Sequence, residues 1–332
     1  MKKDFAALKA ELFALLLEEE EKKLEAELAA EASGPTPVPR DQELVLSFAQ
    51  QRLWFLDQME PGSAFYNIPA AMRMSGTLDA AALAYSINEI VRRHESLRTT
   101  FATVDGAPLQ VIAPSLTLDL PVADLSPLPP AERDAQAQSL IRAEAQAPFD
   151  LAVGPLVRAR LIRLQDTEHI VLFTMHHIVS DGWSMGVLVR EVAALYAAHV
   201  QGLPSPLPPL AIQYADFAHW QRQWLAGEVL QKQLDYWTAQ LAGAPTLLAL
   251  PTDRPRPPVQ SYRGATLPFE VDAAVTAKLQ AVTSQAQATL FMTLAAAFNI
   301  LLARYSGQSD ITLGTPIANR NRGEIESLIG FF

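Results

Sequence analysis

Cysteine is absent from the 332 residues of this chain. Disulfides, zinc–thiolate sites and a thiol nucleophile are therefore excluded, and the composition fits a reducing compartment. Cationic side chains are in the minority, because 26 Lys and Arg stand against 36 Asp and Glu, a formal net charge of −10. This acidic balance argues against nucleic acid as the main partner.

Long hydrophobic runs are also lacking, and no apolar stretch reaches the roughly 18–20 residues that a membrane span needs. The N-terminal apolar stretch is interrupted by Lys9 and Glu11 and ends in four Glu without a small-residue cleavage site. It therefore fails as a signal peptide. We expect a cytoplasmic protein with no membrane partner.

What the chain does have is a globular composition, with 49% hydrophobic and 19% charged residues. Residues 1–31 hold five Lys and nine acidic residues without Gly or Pro, and their apolar residues recur at helical spacing. They predict an amphipathic helix, either a solvated tail or a docking segment. We expect a Pro-rich linker over 32–43, a first lobe over 44–210 and a second lobe over 211–332.

The secondary-structure pattern predicts a mixed α/β fold, because strands and helices occur without a regular βαβ alternation. Helices are predicted at 79–94, 131–147, 184–200, 272–286 and 289–305 and within 213–241, and strands at 108–122, 157–164, 170–175 and 310–315. The alternation over 157–164 indicates a half-buried strand. The wholly apolar run over 170–175 indicates a central strand covered on both faces.

The segment Met175–Ser184 combines two adjacent His with an Asp and a Gly. It follows the most apolar predicted strand and precedes a predicted helix, where sites tend to form in α/β proteins. Neighbouring strand residues face opposite sides, so one of His176 and His177 can face a cleft while the other faces the core. Asp181 can hold a partner or orient the loop, and Gly182 permits a positive φ or a close backbone approach.

From the residues alone, this segment has three interpretations. A neutral imidazole could deprotonate or position an attacking amine or hydroxyl. The two His could instead be satisfied within the fold, beside an Asp-Gly turn. A metal site is less favoured, because adjacent His rarely chelate one ion from a strand and no third ligand has the required spacing. The sequence has neither a Gly-x-Ser-x-Gly elbow nor a Gly-rich phosphate loop.

Residues 176–182, HHIVSDG, match the HHxxxDG motif of condensation domains from nonribosomal peptide synthetases. Further stretches resemble other motifs of that family in the same order: SFAQQRLWF at 47–55, RHESLRTTF at 93–101, YADFAHW at 214–220, GTPIANR at 314–320 and IGFF at 329–332. The resemblance implies an α/β fold of two chloramphenicol-acetyltransferase-like lobes in a V, with a tunnel between them. Arg52, in the first stretch, is a charge in an apolar setting that needs a partner.

The resemblance also implies roles for the motif residues. His177 would be catalytic, with His176 structural and Gly182 supporting. In the family the motif Asp is held by an Arg from the second-lobe stretch, which implies a pair between Asp181 and Arg320, with Arg322 as a nearby alternative.

The implied reaction joins an upstream acyl or peptidyl thioester to the amine of a downstream aminoacyl thioester, both on phosphopantetheine arms of carrier proteins. His177 would position the nucleophile, take its proton or stabilise the tetrahedral intermediate. The chain would then be an acyltransferase of secondary-metabolite biosynthesis that needs no cofactor or metal of its own. The form MHHIVSDGWS looks most like domains that join an L-configured donor to an L-configured acceptor.

The resemblance extends to partners and to the end of the sequence. It implies upstream and downstream carrier proteins, a downstream adenylation domain in the native chain, and an upstream synthetase subunit recruited by residues 1–31. Family members continue beyond Phe332, so we expect a truncated second lobe with exposed sheet edges, which puts the activity of this chain alone in doubt. Two alternatives are a stand-alone ester-forming acyltransferase and a non-catalytic docking or scaffolding piece.

Overall fold

The computed structural model of the chain describes residues 34–258 and 264–332. The helix predicted over residues 1–31 lies outside the described residues. Contacts divide the chain into two compact units: one runs up to Val229 and includes Ala318–Phe332, and the other is Leu230–Ile317. The lobe boundaries proposed from the sequence stay a prediction.

The described elements mix strands and helices, as the sequence predicts. In chain order they are β1 (Leu44–Val45), α1 (Phe48–Met59), β2 (Asn67–Ser75), α2 (Ala80–Arg93), β3 (Thr99–Val104), β4 (Ala107–Ile112), β5 (Val122–Asp124), α3 (Pro130–Gln146), β6 (Val157–Gln165), β7 (Glu168–His176), α4 (Gly182–Val200), α5 (Tyr214–Trp224), α6 (Gly227–Gln240), α7 (Ala273–Gln285), α8 (Leu290–Ser306) and α9 (Gly323–Glu326). Short 3₁₀ turns cover Glu95–Arg98 and His177–Val179.

Two sheets organise the larger unit. The main sheet has the order β2-β7-β6-β5, in which β7 is antiparallel to both β2 and β6, and β5 is parallel to β6. A smaller antiparallel sheet has the order β1-β4-β3. In the main sheet β2 pairs with β7 along its whole length, which places Asn67 opposite His176.

Strand β7 is covered on both faces, as its apolar sequence predicts. Phe173 packs in a cluster with Ile90 of α2 and Leu188 of α4, whereas Leu172 packs with Ala137 of α3 on the other face. Alternate β-strand side chains point to opposite faces, so a strand between two helical layers must be apolar throughout. The half-buried strand predicted at 157–164 is also confirmed, because its apolar residues are buried while its three Arg are not.

The described part of the predicted linker, residues 34–43, has no helix or strand. It is nevertheless anchored on the larger unit, because the Arg40 guanidinium lies 2.7 Å from Asp216 Oδ1 and 2.9 Å from Glu95 Oε2. The Val38 amide also donates to Asp216 at 2.9 Å. Asp216 is buried, so it acts as a structural anchor for the approaching chain.

The second unit holds α7, α8 and most of α6, and Leu302 is the one buried hydrophobic residue among its described positions. The prediction of a strand at 310–315 is wrong, since these residues form no strand. A strand needs ladder partners, and β-type residues alone do not supply them.

Among the described residues, no single helix is long and apolar enough to cross a membrane. Only α7 and α8 taken together, with a bend of 108° between them, reach the length and apolar composition of a span.

Candidate active site

The two motif histidines lie at the end of β7, where the chain changes direction. His176 is the last residue of the strand, and His177 begins the 3₁₀ turn that leads to α4. The His177 backbone amide donates to the Tyr66 carbonyl oxygen at 2.8 Å, which ties this turn to the start of β2. The turn sends the two imidazoles into different surroundings.

The His176 side chain belongs to the interior. It is 3% exposed, and its Nδ1 accepts a hydrogen bond from the Ile178 amide at 3.1 Å. The rings of Tyr66 and Phe149 flank it edge-on, with centroids 6.3 and 6.2 Å away. Burial, assisted by the neighbouring His177, lowers the pKa of His176 to about 4. The ring is therefore neutral at physiological pH and is used as a hydrogen-bond acceptor.

The His177 side chain is only partly buried. Its ring lies edge-on to Phe331, with centroids 4.4 Å apart. Nδ1 is buried and has no hydrogen-bond partner among the described residues, so Nε2 is the ring nitrogen left for chemistry. An imidazole positioned by packing, with its polar edge uncommitted, is suited to receive or orient a proton of a substrate.

Asp181 and Arg320 form the ion pair that the sequence predicts. The Arg320 Nη2 atom lies 3.1 Å from Asp181 Oδ1 and 3.2 Å from Oδ2, and the Arg320 side chain is fully buried. Its Nη1 atom donates to the carbonyl oxygens of Ile325 and Leu328 at 2.7 and 2.8 Å. The alternative, Arg322, pairs with Glu324 instead. Asp181 and Arg320 belong to the same compact unit, so the contact ties the segment 318–332 to residues 176–184, here called the motif loop.

Ser184 completes this polar cluster. Asp181 is the N-cap of α4, and its Oδ1 accepts from the Ser184 amide at 2.8 Å and from the Ser184 hydroxyl at 2.7 Å. The same hydroxyl lies 3.1 Å from the Gly330 nitrogen and 2.9 Å from its carbonyl oxygen. The Phe332 amide donates to Asp181 Oδ2 at 3.3 Å. The motif loop thus binds the backbone of 330–332, which holds Phe331 beside His177.

Two supporting residues are placed differently from the sequence-based expectation. Arg52 lies on the exposed side of α1 and forms no ion pair with a described residue, so the partner that its charge was expected to need is not found among them. Gly182 is the first residue of α4 and does not have a positive φ, and a Cβ added there would meet no atom within 4 Å. Neither backbone strain nor close packing within the described chain requires glycine at 182.

The residues that sequence reasoning misses are Ser184 and the hydroxyl of Tyr214. Ser184 follows the Asp181 cap by three residues, which is the local signal of a side chain facing the helix start. The spacing of Tyr214 predicts only core packing, and it does pack there, but its hydroxyl also bonds Ser47 at 2.8 Å and the Phe331 carbonyl oxygen. No sequence pattern indicates that contact, which joins residues 117 positions apart.

Within residues 34–258 and 264–332, no group of three or more His, Cys, Asp or Glu has an arrangement that could hold a metal ion.

Comparison with known proteins agrees with this geometry. The family profile described as Condensation domain matches residues 40–332. The chain belongs to the condensation-domain family. Condensation domains are acyltransferases that form amide bonds in nonribosomal peptide synthetases, so the family predicted from the HHxxxDG motif is confirmed.

Individual relatives support the same assignment. The chain is 51% identical over 295 residues to malpibaldin synthetase of Mortierella alpina, an alignment that spans 89% of this chain and 5% of that protein. The X-domain from teicoplanin biosynthesis superposes with a TM-score of 0.76 at 30% identity, over 90% of this chain and 66% of that one. The first condensation domain of the CDA synthetase superposes with a TM-score of 0.73 at 21% identity, over 88% and 69%. The predicted chloramphenicol-acetyltransferase-like fold is thereby confirmed.

Proposed function

We propose that this condensation domain joins an upstream acyl or peptidyl thioester to the amine of a downstream aminoacyl thioester, with His177 as the catalytic residue. The observation that carries the proposal is the partly buried His177 ring, which lies on Phe331 and uses no nitrogen in a hydrogen bond to the described chain. His176, Asp181 and Arg320 are bonded within the fold and support it.

The chemistry follows from the groups that meet at the site. The acceptor amine attacks the thioester carbonyl carbon, a C–N bond forms and the C–S bond breaks. The amine loses a proton, and the departing thiolate gains one. The His177 imidazole positions the amine and relays that proton. Much of the rate comes from holding the two thioester arms together, because an oriented pair reacts far faster than two free molecules.

The partners are those that the reaction requires. Phosphopantetheine arms on an upstream and a downstream carrier protein deliver the two thioesters, and an adenylation domain loads the downstream carrier. The chain spans only 5% of the malpibaldin synthetase it resembles, which supports a place inside a much longer multidomain protein. In the same proposal, residues 1–31 recruit an upstream synthetase subunit, and the whole assembly is cytoplasmic.

In the direct test, the chain is mixed with a donor carrier and an acceptor carrier, each loaded with its thioester. Mass spectrometry then measures the mass of the group attached to the phosphopantetheine arm of the acceptor carrier. A second acceptor carries the matching hydroxy acid in place of the amino acid. The proposal predicts an amide product that is lost in His177→Ala. An ester as the preferred product would support the stand-alone ester-forming alternative.

A docking role is the remaining candidate, and one observation favours it. The X-domain that this chain resembles at a TM-score of 0.76 and 31% identity is found in complex with OxyB. A domain that served only to recruit a partner protein would give no amide or ester with either acceptor. The same mass measurement therefore separates all three functions.

A further inference from the structure

The backbone of residues 329–332, here called the terminal segment, is held by side chains from distant parts of the larger unit. The Ser184 hydroxyl oxygen accepts from the Gly330 amide, Tyr214 donates to the Phe331 carbonyl oxygen, and Asp181 accepts from the Phe332 amide. No β-ladder holds this segment in place. The position of Phe331, and with it the packing on His177, therefore depends on individual side-chain hydrogen bonds.

Ile329, at the start of the terminal segment, is hydrogen-bonded by two residues that lie outside the motif loop. The Ile329 amide donates to His94 Nδ1 at 3.3 Å, and the Ile329 carbonyl oxygen accepts from the Ser96 hydroxyl at 2.7 Å. His94 is 1% exposed and Ser96 is 3% exposed. Both side chains are thus buried, where a hydrogen bond lost without replacement is costly.

The His94 ring is fixed in one tautomer by its two neighbours. Because Nδ1 accepts the Ile329 proton, Nε2 carries the ring proton and donates to Glu191 Oε2 at 2.8 Å. Glu191 of α4 is itself held by Arg93, whose Nε lies 3.1 Å from Oε2. Burial, opposed by Glu191, lowers the pKa of His94 and keeps its ring neutral.

We propose that His94 is a positioning residue for the transfer reaction, because its Nδ1 holds the Ile329 amide and so fixes Phe331 against the His177 ring. The inference rests on the proposed function for its catalytic consequence. Its structural part concerns the chain by itself, so the two can fail separately. As a positioning residue, His94 touches no substrate and acts only through the terminal segment.

A matched pair of substitutions separates the two ring nitrogens. His94→Asn places an amide oxygen near the position of Nδ1, so it can still accept from the Ile329 amide, but it cannot reach Glu191. His94→Gln places its amide near the position of Nε2, so it can still donate to Glu191 but leaves Ile329 without an acceptor. The proposal predicts that kcat falls about 10- to 100-fold in His94→Gln with little change in KM, whereas His94→Asn retains most of the rate.

A spectroscopic readout tests the contact without the reaction. The ring-proton signal of His177 in an NMR spectrum is assigned by its absence from His177→Ala, and Phe331→Ala shows where it moves without the neighbouring ring. We expect His94→Gln to shift the signal toward its Phe331→Ala position and His94→Asn to leave it near wild type. Urea unfolding of both variants shows whether they fold.

The proposal is overturned if both folded variants leave the His177 signal at its wild-type position. It is also overturned if they lose kcat equally, in proportion to their lost stability, because His94 would then serve only the core. If the wild-type chain transfers nothing while the signal moves as expected, the proposed function fails and the positioning contact stands.

Discussion

The two sides of the motif loop, residues 176–184, differ in how completely their polar groups are used. On the inner side, His176 is paired to Ile178, and Asp181 is bound by Ser184, Arg320 and the Phe332 amide. On the open side, the His177 imidazole makes no hydrogen bond to a described residue. The same short stretch therefore contains both a densely bonded polar cluster and an uncommitted imidazole.

This difference separates stability from chemistry along a single loop. A buried group that is bonded within the fold cannot change partners without leaving another group stranded, so the inner side acts as a fixed frame. A ring nitrogen that makes no hydrogen bond within the fold can take up a substrate proton without breaking an existing contact. Substitutions on the inner side should therefore change unfolding, whereas substitutions on the open side should change the reaction.

Removing Arg320 should have the largest effect on stability. Arg320→Ala removes the cation that pairs with the buried Asp181 carboxylate and leaves the Leu328 carbonyl oxygen without its donor, so we expect the free energy of urea unfolding to fall by about 3–5 kcal/mol. Arg322→Ala is the matched control, because its pair with Glu324 is partly exposed and should contribute about 1 kcal/mol or less. Small and equal losses of unfolding free energy in the two variants would show that the hydrogen bonds of the inner side do not stabilise the fold.

His176 should make the stability depend on pH. Its pKa is about 4 in the folded chain and 6.5 without the fold, so the unfolded chain binds the proton more tightly. The stabilisation is complete above pH 6.5 and is lost as the pH falls toward 4, with a total of about 3 kcal/mol.

His176→Asn keeps an acceptor for the Ile178 amide but does not titrate. The free energy of urea unfolding should therefore decrease less steeply between about pH 7 and pH 4 in this variant than in wild type. His94, whose pKa burial also lowers, accounts for part of the slope that remains. If the unfolding free energy of His176→Asn depends on pH as steeply as that of wild type, a group other than His176 causes the pH dependence.

The two glycines of the site give the smallest and most direct contrast. A Cβ at Gly330 would collide with the ring of buried Tyr214, whereas a Cβ at Gly182 would meet nothing within 4 Å. We expect Gly330→Ala to cost about 1–3 kcal/mol in thermal unfolding and Gly182→Ala to stay within about 0.5 kcal/mol of wild type. The reverse order would contradict the close packing of Gly330 against Tyr214.

The sequence predicts the local part of this arrangement well. The apolar run of β7 and the alternation of β6 are both encoded within a few neighbouring residues. The pair between Asp181 and Arg320 spans 139 positions and is predictable only because both residues match motifs of one family. Periodicity and spacing carry no information about such a contact.

What could not be predicted depends on long-range packing. Two hydrogen bonds show this: Gly330 donates to Ser184, 146 positions away, and Ile329 donates to His94, 235 positions away. Arg52 has no ion-pair partner among the described residues because it lies on the exposed face of α1, where Phe48 and Phe55 are exposed as well. The strand expected at 310–315 has no ladder partner. Local propensity fixes neither the exposed face of a helix nor the pairing of a strand.

The central claim is that the open side performs the transfer and the inner side supports it. It is tested most directly by one measurement on two variants, His177→Ala and His176→Ala, in which the rate of amide formation between loaded carriers is compared with urea unfolding at about pH 7. We predict that His177→Ala loses at least about 100-fold in rate with nearly wild-type stability, whereas His176→Ala loses stability first. Amide formation at the wild-type rate by folded His177→Ala would contradict the account.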